Sequence, residues 1–275
     1  LKNGLGYDHN FILDSEENMK YVGELEGDES GIEMKIYTTC PGVQFYSGNV
    51  LDGENGKSNT VYKILDELRN FYNIPFLVIE PAKGEYKNVF GQFSNVTVYG
   101  TNPKISELLK INPFKFPKGI HILEHLDRLV EIFNVCWPMY AAMPAVLKNA
   151  VEKSYVDCGW DIVKSENKYG EELYPSFADV ARNVKEIIDS SEYDAENKGA
   201  YKGSLLTRLQ SLCNGINGMI FVADEIPKEQ LFEENVIVDL SRVGSSETKS
   251  LIMGMMVLKL QEYRMSSATG MNAEL

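Results

Sequence analysis

Between residues 60 and 80 the hydrophobic period changes twice, and few folds accommodate that. Val61, Ile64, Leu65, Leu68, Phe71 and Tyr72 recur at helical spacing for three turns, and Asn73 stands where a helix would stop. Pro75-Phe-Leu-Val-Ile-Glu80 follows at once, a short unbroken apolar run of the kind buried on both faces of a sheet. A glycine-containing loop, a helix and a buried strand, in that order, open an α/β layer structure.

The pattern continues downstream. Asn95 to Gly100, Gly218 to Ala223 and Asn235 to Leu240 read as further strands. Between them helical periodicity holds over residues 105–215, a block that reads as a helical insertion. Its stripes are Ile122, Leu126, Leu129, Val130 and Phe133, then Pro144 to Tyr155, Ser176 to Ile188 and Tyr201 to Leu212. Glu247 to Arg264 reads as a long Met-rich helix. The run from Phe133 to Leu147 is broken by Asn134, Pro138 and Pro144, so it predicts a buried helical pair. It falls short of the roughly 18 apolar residues a membrane span needs.

Ahead of residue 56 both the period and the charge differ. Met34-Lys35-Ile36-Tyr37 and Val43-Gln44-Phe45-Tyr46 cluster β-formers between turn pairs such as Gly27-Asp28 and Pro41-Gly42, which predicts β structure over residues 19–50. Residues 1–56 hold eleven acids against three lysines, whereas the remainder holds 29 acids against 24 bases. The whole chain carries −13 over 275 residues, which argues against a surface that grips phosphate backbones everywhere and leaves room for a local basic groove. The 44% apolar and 24% charged residues exclude disorder, collagen and coiled coil. Cys40, Cys136, Cys158 and Cys213 are 96, 22 and 55 residues apart, which is neither a metal-type CxxC nor a disulfide framework. Reduced thiols in a cytoplasmic protein are the expectation. The chain opens at Leu1 without an initiator Met or a signal peptide and reads as a piece of something longer.

Three constellations could carry chemistry. Gly56-Lys57-Ser58 stands at the start of the first helix, where backbone amides, a Lys and a Ser hydroxyl can converge on phosphate and magnesium. The full GxxxxGK[ST] pattern places a glycine where this chain has Leu51, and Glu54 puts a carboxylate in the loop, so a solvated loop capping a helix is the competing reading. His121-Ile-Leu-Glu124-His125 fits an inverted zinc-protease helix. However, Arg128 lies one turn beyond His125 and no third ligand is specified, so surface histidines on an amphipathic helix are expected instead. Glu80 and Asp239 each end a strand candidate, where they would either position magnesium and water or cap helices.

Two stretches resemble known families. Gly6-Tyr7-Asp8-His9-Asn10-Phe11, Ser30-Gly31, the run from Ile36 through Pro41-Gly42-Val43-Gln44-Phe45-Tyr46 to Asn49, and Leu51-Asp52-Gly53 resemble the C-terminal part of aldose 1-epimerase (galactose mutarotase). The match covers about residues 4–55 and implies an antiparallel β segment of a β-sandwich in which Asp8 and Gln44 bind the hydroxyls of a hexose. Mutarotation needs a general base and a general acid. The family's catalytic Glu follows the LDG in an LETQ-type motif and its catalytic His precedes DHNF. Neither is present, so the resemblance implies half a sugar site without chemistry.

From Gly56 onward the chain resembles a HerA/FtsK-type P-loop ATPase of the DNA-translocase and conjugation-ATPase group. The residues that carry this are Gly56-Lys57-Ser58-Asn59-Thr60-Val61, Leu77-Val78-Ile79-Glu80-Pro81 through Gly84-Glu85-Tyr86, Ile111-Asn112-Pro113-Phe114, His125-Leu126-Asp127 and Val238-Asp239-Leu240-Ser241. The fold implied is an α/β, incomplete RecA-like P-loop core over residues 56–275, with Gly56, Lys57, Ser58, Asn59, Thr60 and Glu80 around ATP and Ser58 on Mg2+. The family works as hexameric rings on DNA, so a homo-hexamer and DNA are implied partners. In this chain the first half of the P-loop is replaced by Leu51-Asp52-Gly53-Glu54-Asn55, and the sequence stops before a strand bearing the Walker B acids. Nucleotide binding without hydrolysis is therefore the expectation. Both resemblances meet at Gly56-Lys57, which predicts a chimeric chain, with a natural fusion as the alternative.

Overall fold

In a computed structural model the described residues are 8–12, 19–26, 33–39, 42–46, 56–170 and 173–271. They form two compact units, Leu1–Glu67 and Leu68–Leu275.

The first unit contains four strands and a helix: β1 (Asp8–Ile12), β2 (Lys20–Glu26), β3 (Glu33–Thr38), β4 (Gly42–Tyr46) and α1 (Gly56–Glu67). β1 pairs antiparallel with β4, and β2 with β3, the latter register slipping between Tyr21 and Gly23. The expectation of β structure over residues 19–50 is met in these strands. Tyr21 and Tyr37 stand opposite each other with ring centroids 5.5 Å apart, the cross-strand aromatic pairing that steadies a two-stranded ribbon.

A π-helical turn, Leu68–Tyr72, opens the second unit and ends where Asn73 adopts φ 49°. Asn tolerates the left-handed region better than most residues, which is why the helical period stops there. Next come β5 (Leu77–Glu80), α2 (Tyr86–Phe90), β6 (Val96–Gly100) and the short β7 (Glu107–Leu108). The helical block holds α3 (Ile122–Cys136), α4 (Met143–Asp157), a small hairpin of β8 (Trp160–Asp161) and β9 (Glu166–Asn167), α5 (Phe177–Ser190), α6 (Ala195–Tyr201), a π turn (Lys202–Leu206), α7 (Thr207–Cys213), α8 (Gly215–Ile220) and α9 (Lys228–Phe232). The chain then returns through β10 (Asn235–Asp239) and closes on α10 (Ser246–Met271).

The main sheet is parallel, with strand order β5-β10-β6-β7. β10, the last strand in sequence, therefore lies between the first two. Its Val236, Ile237 and Val238 are wholly buried, as a central parallel strand requires, whereas Leu77, Val78 and Ile79 on β5 are half-buried. The core joins this sheet to α3, α4, α5, α7 and α10 through Leu126, Phe133, Leu147, Val184, Leu209 and Met256, each fully buried. Every such side chain contributes about 1.5–3 kcal/mol of burial.

Local signals explain the helix boundaries. Ser176 and Asp179 form a reciprocal capping box at the start of α5, and Pro144 sits in the first turn of α4, where its missing N–H costs nothing. α3 and α10 approach closely at Gly254, since a Cβ there would lie 2.9 Å from Cγ2 of Ile132. Cys136, Cys158 and Cys213 are free, and burial pushes each thiol up, as befits packed and unreactive sulfur. Cys40 lies outside the described residues.

One strand expectation fails. Residues 215–220 of the run around Gly218 to Ala223 are α8, and only Phe221 bridges to Ile111, flanked by bonds from Ile111 N to Ile220 O (2.8 Å) and from Val222 N to Ile111 O (3.2 Å). A short apolar run looks alike in a buried strand and in a buried helical turn. Gly215, at φ 58°, turns the chain into a helical turn here.

Candidate functional site

α1 opens at Gly56, so Lys57, Ser58, Asn59 and Thr60 occupy its first turn. Ser58 is half-buried, while Asn59 and Thr60 are exposed. That turn contains no acidic residue. Its leading amides have no intrahelical acceptor and point along the positive end of the helix dipole, which favours an anion. Leu51, Gly53 and Glu54 lie outside the described residues.

The second unit gathers two carboxylates at the C-terminal edge of its parallel sheet. Asp239 stands in register with Glu80 on one side and Gly100 on the other. Both acids are nearly buried and both are already engaged. Glu80 accepts hydrogen bonds from the amides of Glu85 (2.7 Å) and Tyr86 (3.2 Å), which fastens it to the start of α2. Asp239 accepts from Lys87 Nζ at 2.5 Å and from the amide of Ser241 at 2.9 Å. Burial pulls the Asp239 carboxyl upward, but the bonds from Lys87 and Ser241 outweigh it and hold the group below the usual aspartate range. Gly84, at φ 68°, lets the loop after β5 pass close to Ser241 in the loop after β10. The edge thus acts as a brace, with its acids spent on capping and on one ion pair.

The histidine pair divides its work. His121 caps α3, its Nδ1 accepting from the amide of Leu123 (3.2 Å) while the Glu124 carboxylate accepts from the amide of His121 (3.3 Å). His125 is no surface residue. It is fully buried, with Nδ1 at 2.9 and 3.1 Å from the two Glu262 oxygens and Nε2 at 3.1 Å from the carbonyl of Pro113. Arg128, half-buried, comes to 3.3 Å of Glu262, so the residue expected to oppose a metal instead joins the buried His125–Glu262 pair. Among the described residues no group of three His, Cys, Asp or Glu is placed to hold a metal.

α10 also carries Lys259, buried with Glu225 at 2.7 Å and donating to the carbonyl of Lys115 at 3.2 Å. Burial lowers the Lys259 ammonium pKa, and the Glu225 carboxylate only partly restores it. Periodicity did not single out these partners. The available signal was a Lys and a Glu three apart, Lys259 and Glu262, directly after the apolar Met-rich stretch Leu251 to Leu258.

On the β1–β4 ribbon, Asp8 pairs with Tyr46 and Asn10 with Gln44. Because paired positions share a face and residues two apart return to it, Asp8 and Gln44 occupy one face, a diagonal step apart.

Comparisons with known proteins fall into two groups. The chain is 48% identical over 58 residues to galactose mutarotase of Rattus norvegicus, 45% identical to that of Homo sapiens, and 36% identical to aldose 1-epimerase of Escherichia coli. These matches cover 21% of this chain, and the chain spans only 17% of the length of those relatives. Among solved structures, VirB4 of Thermoanaerobacter pseudethanolicus is similar over 74% of each chain, with 18% identity and a TM-score of 0.49. No family profile matches the sequence. No helix among the described residues is long and apolar enough to cross a membrane. The chain is a mixed α/β protein with a parallel sheet, and it carries a 58-residue stretch similar to galactose mutarotase.

Proposed function

We propose that residues 56–275 are a nucleotide-binding α/β segment of HerA/FtsK type that binds ATP and does not hydrolyse it. The observation that carries the reading is the placement of Gly56-Lys57-Ser58 at the opening of a helix that precedes a parallel sheet. Magnesium–ATP, when bound, would supply a triphosphate whose charge must be neutralised. The residues at the helix start fit that group: Lys57 would meet phosphate charge, the Ser58 hydroxyl would hold the metal, and Asn59 and Thr60 would border it. At the sheet edge the fit is different, because the oxygens of Glu80 and Asp239 are already taken by Glu85, Tyr86, Lys87 and Ser241. Glu80 therefore contributes by bracing the α2 start and not as a metal ligand. Leu51 in place of the P-loop glycine, and Glu54 in the loop, remove the support that hydrolysis requires. Six copies on DNA, with a cytoplasmic location, belong to the same reading.

Titration with a slowly hydrolysed ATP analogue plus magnesium tests this. Saturable binding that weakens at least about tenfold in Lys57→Ala is expected. Absence of saturation, or binding untouched by Lys57→Ala, overturns it.

A second reading rests on the 48% identity over 58 residues and on Asp8 and Gln44 sharing a face: a mutarotase fragment that binds a hexose without turning it over. Both readings place the join just ahead of Gly56. Sequencing the locus through residues 50–60 decides whether the join is natural, since one uninterrupted frame means a fusion and two separate loci mean a chimera.

A further inference from the structure

α10 runs antiparallel to α3, since Arg128 reaches Glu262 at 3.3 Å and a Cβ on Gly254 would lie 2.9 Å from Cγ2 of Ile132. On their outward side the two helices leave an open trough of about 710 Å³. Ile132, Met253, Gly254 and Leu258 line it, and Val257 stands in it 58% exposed. Val135, one turn further along α3, extends the apolar strip and is 76% exposed. From Leu251 to Leu258 every residue of α10 is apolar or glycine, so over about two turns the helix has no polar side. A helix that is apolar all round belongs in an interior. Leu251, Ile252, Met255 and Met256 meet the core, whereas Val257 is left in water with Met253 half-buried beside it. A continuous apolar surface with a polar rim is what a protein-binding site presents.

Charge decides among occupants. Glu124, Asp127 and Glu131 stand exposed at i, i+3 and i+7 along α3, in a row beside the trough. Glu131 has no ion-pair partner among the described residues, and Asp127 has an exposed pair with Lys148, which exchanges easily. Arg128, the base in the lining, is engaged by Glu262 and Glu124. This row of acids, on a chain of net charge −13, repels both a second copy and an anionic lipid surface. A small apolar ligand would leave the acids unused. A trough along two antiparallel helices suits a third helix laid apolar face down.

We propose that the α3–α10 trough is a docking site for an amphipathic helix of another protein, which lays an apolar stripe on Ile132, Met253 and Val257 and directs Lys or Arg side chains at Asp127 and Glu131. The proposal does not rest on the nucleotide reading.

The probe is a synthetic helical peptide of about 18 residues with leucines at i, i+3, i+4 and i+7 and lysines flanking that stripe. Its binding to the full chain is followed by fluorescence anisotropy, against a scrambled peptide of the same composition and a version with glutamates for the lysines. Saturable micromolar binding of the lysine peptide is expected, at least about tenfold tighter than either control and weaker at higher salt. Val257→Asp, at an exposed position and adding a negative charge, is expected to weaken it at least about tenfold, and Glu131→Lys about fivefold, while Glu192→Lys in the loop after α5 leaves it unchanged. No saturation, equal binding of the scrambled peptide, or binding untouched by Val257→Asp in a chain whose circular dichroism matches the parent overturns the proposal. Equal weakening by Glu131→Lys and Glu192→Lys would reduce the effect to bulk charge and overturn it too. Concentration-dependent dimerisation that is lost in Val257→Asp would assign the trough to a second copy, which also overturns it.

Discussion

Nδ1 of His125 lies 2.9 Å from a carboxylate oxygen of Glu262, and neither side chain is exposed to solvent. The other ring nitrogen lies 3.1 Å from the Pro113 carbonyl, so the ring is engaged at both nitrogens. The pair ties α10 to α3 and to the loop ahead of it. Removing one partner of a buried pair strands the other, at about 3–5 kcal/mol. Glu262→Gln, which keeps the shape and deletes the charge, is expected to lower the urea-unfolding free energy by that amount. A loss below about 1 kcal/mol would show that the pair is not what holds these elements together.

Asp239 gives the fold an acid-sensitive contact. Its carboxyl titrates below its ordinary 3.8 in the folded chain, because the bonds from Lys87 and Ser241 outweigh burial. A depressed carboxylate stabilises the fold fully above its unfolded value and loses that contribution as pH falls through the folded one. Melting temperature followed from about pH 6 down to about pH 2 should therefore fall less steeply in Asp239→Asn than in the parent, with a cost of about 1.5–3 kcal/mol at neutral pH. Parallel acid limbs would contradict the assignment.

Gly84→Ala tests the passage between the two loops at the sheet edge. The residue sits at φ 68°, and an added Cβ would lie 2.9 Å from Ser241 Oγ. The left-handed backbone alone costs roughly 1–2 kcal/mol for a residue with a Cβ. Thermal unfolding should register at least that loss, and an unchanged melting temperature would mean the loop relaxes freely.

Much of this architecture was legible in the residues. The apolar period of Val61 to Tyr72, the stop at Asn73 and the unbroken run ending at Glu80 correspond to a helix, a positive-φ residue and a strand. The Ser176 start and the stripe from Ile122 to Phe133 did the same for α5 and α3. Local period and capping chemistry decide such elements. What period cannot encode is pairing between distant segments. Nothing near His125 announces Glu262, 137 residues later, so a buried, hydrogen-bonded histidine looked like a surface one. The same holds for Asp239, whose partner Lys87 is 152 residues away. The α8 turn was missed for a different reason, since six residues are too few to separate a helical period from a strand's.

Under the function proposed above, residues 56–275 bind nucleotide without hydrolysing it and the mutarotase-like ribbon binds a hexose without turning it over. The most direct test assays the purified chain side by side for phosphate release from magnesium–ATP and for anomerisation of α-galactose. Both rates are expected to equal those of buffer. Turnover of either substrate above that background, abolished by Lys57→Ala for ATP or by Asp8→Ala for the sugar, would contradict the account.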